Sequence, residues 1–230
     1  DLPLSLRRQR QMCIRDSHDT LRSGNAWKVR LMAGLLGVPL ERHTRSIDRG
    51  DLRRPDFLAI APLAQVPVLE LDDGHCIAES MAILHFLAQG SPWWPAEPLA
   101  QARVLTWLSF EQERHMKPLA KLRLHLALHR DRDPASPEFL ADRHEALAAL
   151  ALLEARLERQ GPDAWVATDA HPSIADVALY PYTRLAPMGG IELQGFAAIR
   201  GWLARIEDLD GYQALFPGHP EKNFSTQETP

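Results

Sequence analysis

Hydrophobic and polar positions change their rhythm once along the chain. From residue 24 to about 89, short segments of helical period alternate with short extended ones, and beyond residue 98 nearly every segment has the helical period. In the first stretch, "GNAWKVRLMAGLLG" places Val29, Met32, Ala33 and Leu36 on one helical face, and Gly37 supplies the stop of a C-terminal cap. "VPLERHT" reads as a short strand, and "DLRRPDFLAIAP" as a helix ended by Pro62. "VPVLEL" and "HCIA" are two strands joined by Asp-Asp-Gly, the turn chemistry of a hairpin, and "ESMAILHFLAQG" is a further helix. In the second stretch, residues 98–129 predict a long helix carrying Leu105, Leu108, Met116, Leu119, Leu122 and Leu126, kinked at Pro118. "SPEFLADRHEALAALALLEARLERQG" predicts another, with Ser136 as cap, Pro137 at its first position and Gly161 at its end. "PSIADVALYPYTRLAPMGG" and "FAAIRGWLARIEDLDGY" predict two more.

The order helix, strand, helix, hairpin, helix matches the later part of a thioredoxin-like α/β layer, which needs one more strand ahead of Gly24. The expected fold class is therefore an α/β thioredoxin-like N-terminal domain, residues 1–89, followed by an all-α helical C-terminal domain, residues 98–230. The proline-rich "QGSPWWPAEP" marks the junction, with residues 90–97 as linker and Trp93-Trp94 packing near it. The missing strand is the irregular point. Residues 1–22 carry five arginines and no clean period-2 pattern, and only "MCI" reads as extended, whereas a central strand should be a continuous apolar run. The string "RRQRQMCIRDS" resembles translated adapter sequence, so residues 1–17 are expected to be non-native, overwriting the true strand up to about Ser17. A basic arm of ordinary origin is the alternative.

Composition narrows the function classes. Lys and Arg number 26 against 30 Asp and Glu, a net charge of -4, so no basic stripe offers itself to nucleic acid or anionic lipid. No apolar run approaches a membrane span, and the expected address is the cytosol. Cys13 and Cys76 form neither a CxxC nor a metal-ligand spacing, and His125 with His129, though i and i+4, lack a third ligand, so no metal is expected. The tail after Pro217 is polar and expected to be loosely held.

Val66-Pro67 followed by Glu79-Ser80, the proline-marked linker and "SIADVALY" in a helical domain together resemble the cytosolic glutathione transferases, and "SGNAWKVRL", "FEQERH" and "YTRLAPMGG" are similar to the bacterial branch. The likeness spans residues 23 to about 215. It implies a cis Val66-Pro67 bond that turns the Val66 backbone toward an extended peptide ligand, strand addition in miniature. It implies that Ser80 takes the γ-glutamyl carboxylate of glutathione at a helix N-terminus while Glu79 pairs with the ammonium. Gln65 falls where the family reaches the glycyl carboxylate; Arg53 and Arg54 match no motif. Glutathione is then the co-substrate, a small hydrophobic electrophile the second partner, and a homodimer the expected assembly.

The family places its thiol-activating donor in the loop before the first helix, here "RSGNAW". Ser23 is the first candidate and Asn25 the second, with Thr20 and Ser17 as competitors and Ser23 equally readable as a helix cap. Cys13 and Cys76 do not match the family's cysteine position. "FEQERHMKP" sets Glu111, Arg114 and His115 on the helix that in the family lines the electrophile pocket, although a solvated charged face explains them too. Ser173 and Asp176 have the S-x-x-D form of a structural capping box. The readings carried forward are a glutathione transferase, a glutathione-dependent disulfide or peroxide reductase, a non-catalytic glutathione-binding or scaffold protein, and, as a further family activity, an isomerase or dehalogenase.

Overall fold

A computed structural model describes residues 16–215 of the chain. "MCI", Cys13, most of the segment expected to be overwritten and the tail after Pro217 lie outside the described residues. The described chain divides into two compact units, one of residues 16–94 with Leu209–Leu215, the other Pro95–Asp208.

The first unit runs β1 (Asp16–Asp19), α1 (Gly24–Leu35), β2 (Glu41–Thr44), α2 (Pro55–Ile60), β3 (Val68–Glu70), β4 (Cys76–Ala78) and α3 (Ser80–Ala88). The sheet order is β2-β1-β3-β4, with β1 parallel to β2 and antiparallel to β3, and β3 antiparallel to β4. This is the expected thioredoxin-like layer. The hairpin turn closes through Leu71 N–H to His75 O (2.8 Å), with Gly74 at φ 83°, a left-handed value that glycine adopts without cost.

The central strand departs from the apolar run expected of it. β1 reads Asp-Ser-His-Asp, yet Ser17, His18 and Asp19 are buried. Asp16, His18 and Asp19 are tolerated because other elements bring counter-groups, while the buried Ser17 hydroxyl has no hydrogen-bond partner among the described residues. The Arg30 guanidinium on α1 donates to Asp19 Oδ2 at 2.5 Å, and Arg42 on β2 donates to both Asp19 oxygens at 3.1 and 3.2 Å. His18 Nε2 meets Glu70 at 3.0 Å, and His43 Nε2 meets Asp16 at 2.6 Å. Burial lowers the Arg30 pKa, and the adjoining Asp19 carboxylate opposes that shift.

α1 is buried on more than the one face expected, from Gly24 to Met32 and Ala33. Part of that cover comes from residues 209–215: Trp27 Nε1 donates to Gln213 O at 2.6 Å, and a β-carbon on Gly34 would stand 2.3 Å from Gly211 O. Only glycine fits there. Trp93 is buried, and Trp94 stands edge-on to His85 at 4.5 Å.

The second unit is helical: α4 (Pro98–Phe110), α5 (Met116–Arg123), α6 (Pro137–Gln160), α7 (Ile174–Arg184) and α8 (Ala197–Glu207). The single long helix expected over 98–129 is interrupted. Residues Glu111–His115 and Leu124–Leu128 adopt wider i to i+5 turns, and Met116 N–H donates to Glu111 O. Pro118 has no N–H to return to Arg114, so the widening falls in the turn it disrupts. The apolar seam shifts accordingly: Val104, Leu108, Leu119 and Leu122 are buried, whereas Leu105 faces solvent at 52% exposure. Each buried leucine contributes about 1.5–3 kcal/mol. Ser136 caps α6 and Gly161 ends it, the boundaries read from sequence. Among the described residues no helix is long and apolar enough to cross a membrane.

Candidate functional site

Strand register brings three sequence-distant segments to one end of the sheet. Val68, the first paired residue of β3, meets Ala78 at the end of β4 on one side and His18 near the end of β1 on the other, so Val66, Ser80 and Thr20 follow from the same end of the sheet. Thr20 leads directly into Ser23 and α1. The loop before α1, the start of β3 and the start of α3 therefore share an edge.

The Val66–Pro67 bond is cis, the geometry the resemblance implies. Pro67 is buried, Gln65 is exposed, and the half-buried Val66 packs its side chain against the Phe57, Ala61 and Val68 cluster. Val66 precedes the first paired residue of β3, and its backbone N–H and C=O have no partner among the described residues. A peptide ligand would find both groups available.

Glu79 carries φ 69° and ψ 120°, a left-handed-side conformation that a residue with a β-carbon adopts only when its surroundings hold it there. It stands at the N-cap of α3 with no side-chain cap bond, exposed, while Ser80 is buried at the first helical position. Ile83 N–H is the first to close onto the helix, at Glu79 O (3.0 Å), so the N–H groups of residues 80–82 point out of the helix end. Such an end favours a carboxylate.

Ser23 is the N-cap of α1: its Oγ accepts from Ala26 N–H at 3.1 Å and its own N–H donates to Thr20 O at 3.0 Å. Capping uses only a lone pair, so the hydroxyl proton stays free to donate elsewhere. The cap and the donor role are compatible. Asn25 is half-buried, and its buried Oδ1 receives no hydrogen bond among the described residues. Of the competitors, Thr20 is buried at the end of β1 and Ser17 is enclosed within the sheet at 0% exposure. Cys76 lies in β4, where burial first and Glu70 second push its thiol pKa up. Arg53 and Arg54 are exposed, Arg54 being paired with Asp56 at 3.2 Å.

The residues of "FEQERH" do not share one environment. Glu111 and His115 are fully buried, His115 Nε2 lying 2.8 Å from Thr183 Oγ1 on α7, whereas Glu113 and Arg114 are exposed. This corrects the reading of a solvated charged face for Glu111 and His115, because the i to i+5 turn carries both inward. Ser173 and Asp176 form the capping box, with Asp176 Oδ2 accepting from Ser173 N–H at 2.8 Å. Asp176 does more than cap: its Oδ1 also accepts from Val166 N–H at 2.9 Å and Trp202 Nε1 at 3.0 Å. Burial raises this carboxyl's pKa, and the donors around it counter the shift.

Asp16, Glu41 and His43 bring three potential ligand atoms within 4.8 Å of one another. The 2.6 Å contact between His43 Nε2 and Asp16 Oδ1 accounts for that cluster as a hydrogen-bonded pair. The sequence reading missed the Asp19, Arg30 and Arg42 network behind the Ser23 loop; an uncompensated charge inside an otherwise apolar helix face, "WKVRLM", was the available signal.

Comparison with known proteins places this geometry. A family model described as the glutathione S-transferase N-terminal domain matches residues 22–89. The crystal structure of a glutathione S-transferase from Pseudomonas fluorescens superposes with a TM-score of 0.82 at 36% identity, covering 87% of this chain and 98% of that one. Glutathione S-transferase F10 of Arabidopsis thaliana is 30% identical over 166 residues, 68% of this chain and 75% of its own. A maleylacetoacetate isomerase of Pseudomonas aeruginosa is 28% identical over 220 residues, 89% of this chain and 95% of its own. Identity at this level over nearly the whole of a solved transferase shows the family, and the chain belongs to the glutathione S-transferases.

Proposed function

We propose that the chain is a glutathione transferase that binds the tripeptide along the Val66 edge and activates its thiol for attack on small hydrophobic electrophiles. The observation that carries this reading is the convergence of the open Val66 backbone, the strained Glu79 at the head of α3 and the Ser23 loop at one end of the sheet. In this reading, N–H groups at the α3 terminus and the Ser80 hydroxyl hold the γ-glutamyl carboxylate, Glu79 pairs with the adjacent ammonium, and Gln65 reaches the glycyl end. The Val66 N–H and C=O pair with the cysteinyl residue.

A free thiol with pKa about 8.5 is only a few per cent ionised at neutral pH, and lowering that pKa by about two units takes roughly 2.7 kcal/mol. Charge-assisted hydrogen bonds are worth about 1.5–3 kcal/mol each, so one or two donors suffice. Ser23 is the first donor. Its Oγ already accepts from Ala26 N–H, which polarises the hydroxyl toward the thiolate. Asn25 is the second polar group beside it. Of Glu111, Arg114 and His115, only the exposed Arg114 is assigned to the electrophile side, Glu111 and His115 being enclosed in the helical core; the assembly is assigned to a homodimer, and the location to the cytosol, where two cysteines remain thiols.

Conjugation of glutathione to a chloronitroaromatic compound tests the proposal. Wild type should turn over and Ser23→Ala should lose most of kcat while still binding glutathione by calorimetry; unchanged turnover in Ser23→Ala would remove Ser23 from the role. The isomerase relative favours a second reading, in which the same thiolate adds reversibly to a conjugated double bond and leaves after bond rotation. A cis-to-trans assay on a maleyl substrate, catalytic in glutathione, separates the two.

A further inference from the structure

Away from the thiol site, the second unit contains a cleft of about 410 Å³ lined by Arg103, Thr106 and Trp107 of α4, Arg156 and Gln160 of α6, and Asp169 of the following loop. Positions 103, 106 and 107 are i, i+3 and i+4 on α4, and 156 and 160 are i and i+4 on α6, so each helix turns one stripe into the cleft. The volume lies within the range of small-molecule sites, about 300–1,000 Å³.

The charge in this cleft is unbalanced. Among the described residues neither Arg103 nor Arg156 takes part in an ion pair. Arg156 is aimed rather than loose, because its Nε donates to Val166 O at 2.8 Å and thereby fixes the plane of the guanidinium. The one carboxylate present, Asp169, is engaged by Gln160 Nε2 at 3.1 Å. Burial, and after it the neighbouring Arg159 and Arg103, hold the Arg156 pKa below its ordinary value. Two guanidiniums facing one space repel each other unless an anion lies between them, and the fork of each is matched to paired acidic oxygens. The Trp107 ring, half-buried and edge-on to Phe110 at 5.1 Å, supplies a flat apolar wall beside them.

We propose that this cleft is a second ligand site, independent of the glutathione reading, that accepts a small dianion whose acidic oxygens engage Arg103 and Arg156 together. Dicarboxylates and phosphates share that chemistry. Thr106 donates its hydroxyl to Ala102 O and keeps its lone pairs, so recognition rests on the two arginines.

The test is calorimetric titration of the full chain, in separate arms, with succinate and with inorganic phosphate at 150 mM salt. Saturable binding in either arm is expected, and the arm that responds identifies the acid group. Arg103→Gln, an exposed position, should weaken that binding by about tenfold or more, the loss of one charge-assisted contact. Arg156→Lys, which keeps the charge but not the fork, should weaken it as well, and Arg200→Gln on α8 should leave it unchanged. No saturable heat in either arm, equal affinity in Arg103→Gln, or the same loss in Arg200→Gln would overturn the proposal.

Discussion

Asp19→Asn is the most informative perturbation of the fold, because it removes one charge from the centre of the sheet and almost no volume. The Asp19 side chain has no solvent exposure, and its partners Arg30 and Arg42 are 8% and 37% exposed. Breaking a buried pair by removing one partner costs about 3–5 kcal/mol, because the other charge is left without compensation. Arg42, more than a third exposed, is rescued by water, and its share is at most about 1 kcal/mol. Asparagine still offers one oxygen to Arg30. The expected cost is therefore near the lower end, about 3 kcal/mol. Urea unfolding at neutral pH, followed by tryptophan fluorescence, should show a lower midpoint with an unchanged slope. Arg42→Met should cost about 1 kcal/mol or less, and Asp19→Asn combined with Arg30→Met should recover part of the loss, with a coupling of at least about 1 kcal/mol. A loss below about 0.5 kcal/mol in Asp19→Asn, or strict additivity in the double variant, would refute the claim that this network holds the polar strand in place.

Further outcomes follow from the same geometry. Ser23→Ala should reduce conjugation kcat/KM by about ten- to a hundredfold, the worth of one charge-assisted hydrogen bond, and Ser23→Thr should restore most of it. Asp176→Ala leaves Val166 N–H, Ser173 N–H and Trp202 Nε1 without their acceptor and should lower stability by about 3 kcal/mol or more in denaturant melts, with no separate effect on glutathione affinity. Glu97 caps α4 through Leu99 and Ala100 N–H, which hold its pKa below the usual glutamate value. Its stabilisation is therefore full above the unfolded pKa and lost as pH falls through the lower folded one, so Glu97→Gln should flatten the acid limb of a stability-versus-pH curve. Cys76, its thiol pKa raised by burial and Glu70, should alkylate more slowly with iodoacetamide at pH 8 than a free cysteine does.

The elements that could be read from sequence were those set by local chemistry. Ser136, Pro137 and Gly161 bound α6 because a cap acts within one turn, and Asp72-Asp73-Gly74 marked the hairpin for the same reason. The Ser173 and Asp176 box was legible as a cap, but its second set of donors, from Val166 and Trp202, lies 10 and 26 residues away and leaves no local trace. β1 was illegible on the same ground: nothing within Asp-Ser-His-Asp announces that Arg30 and Arg42 will pair with Asp19 and Glu70 with His18. Nor could the period on residues 98–129 show that two wide turns would interrupt the helix, with Leu105 exposed and Glu111 and His115 buried. At the candidate site, the residue types were visible in order, whereas the positive φ of Glu79 and the shared sheet end of Val66, Ser80 and Thr20 are products of pairing.

The central claim is that the head of α3 and the Val66 edge form a glutathione cradle, and titration calorimetry of the full chain with reduced glutathione tests it most directly. One saturable site is predicted, accompanied by a rise in melting temperature that at a hundredfold excess over Kd corresponds to about 2.7 kcal/mol. Glu79→Gln combined with Ser80→Ala should abolish both signals while the unliganded melting point changes little. Absence of binding at millimolar tripeptide, or binding that the double variant leaves intact, would contradict the account.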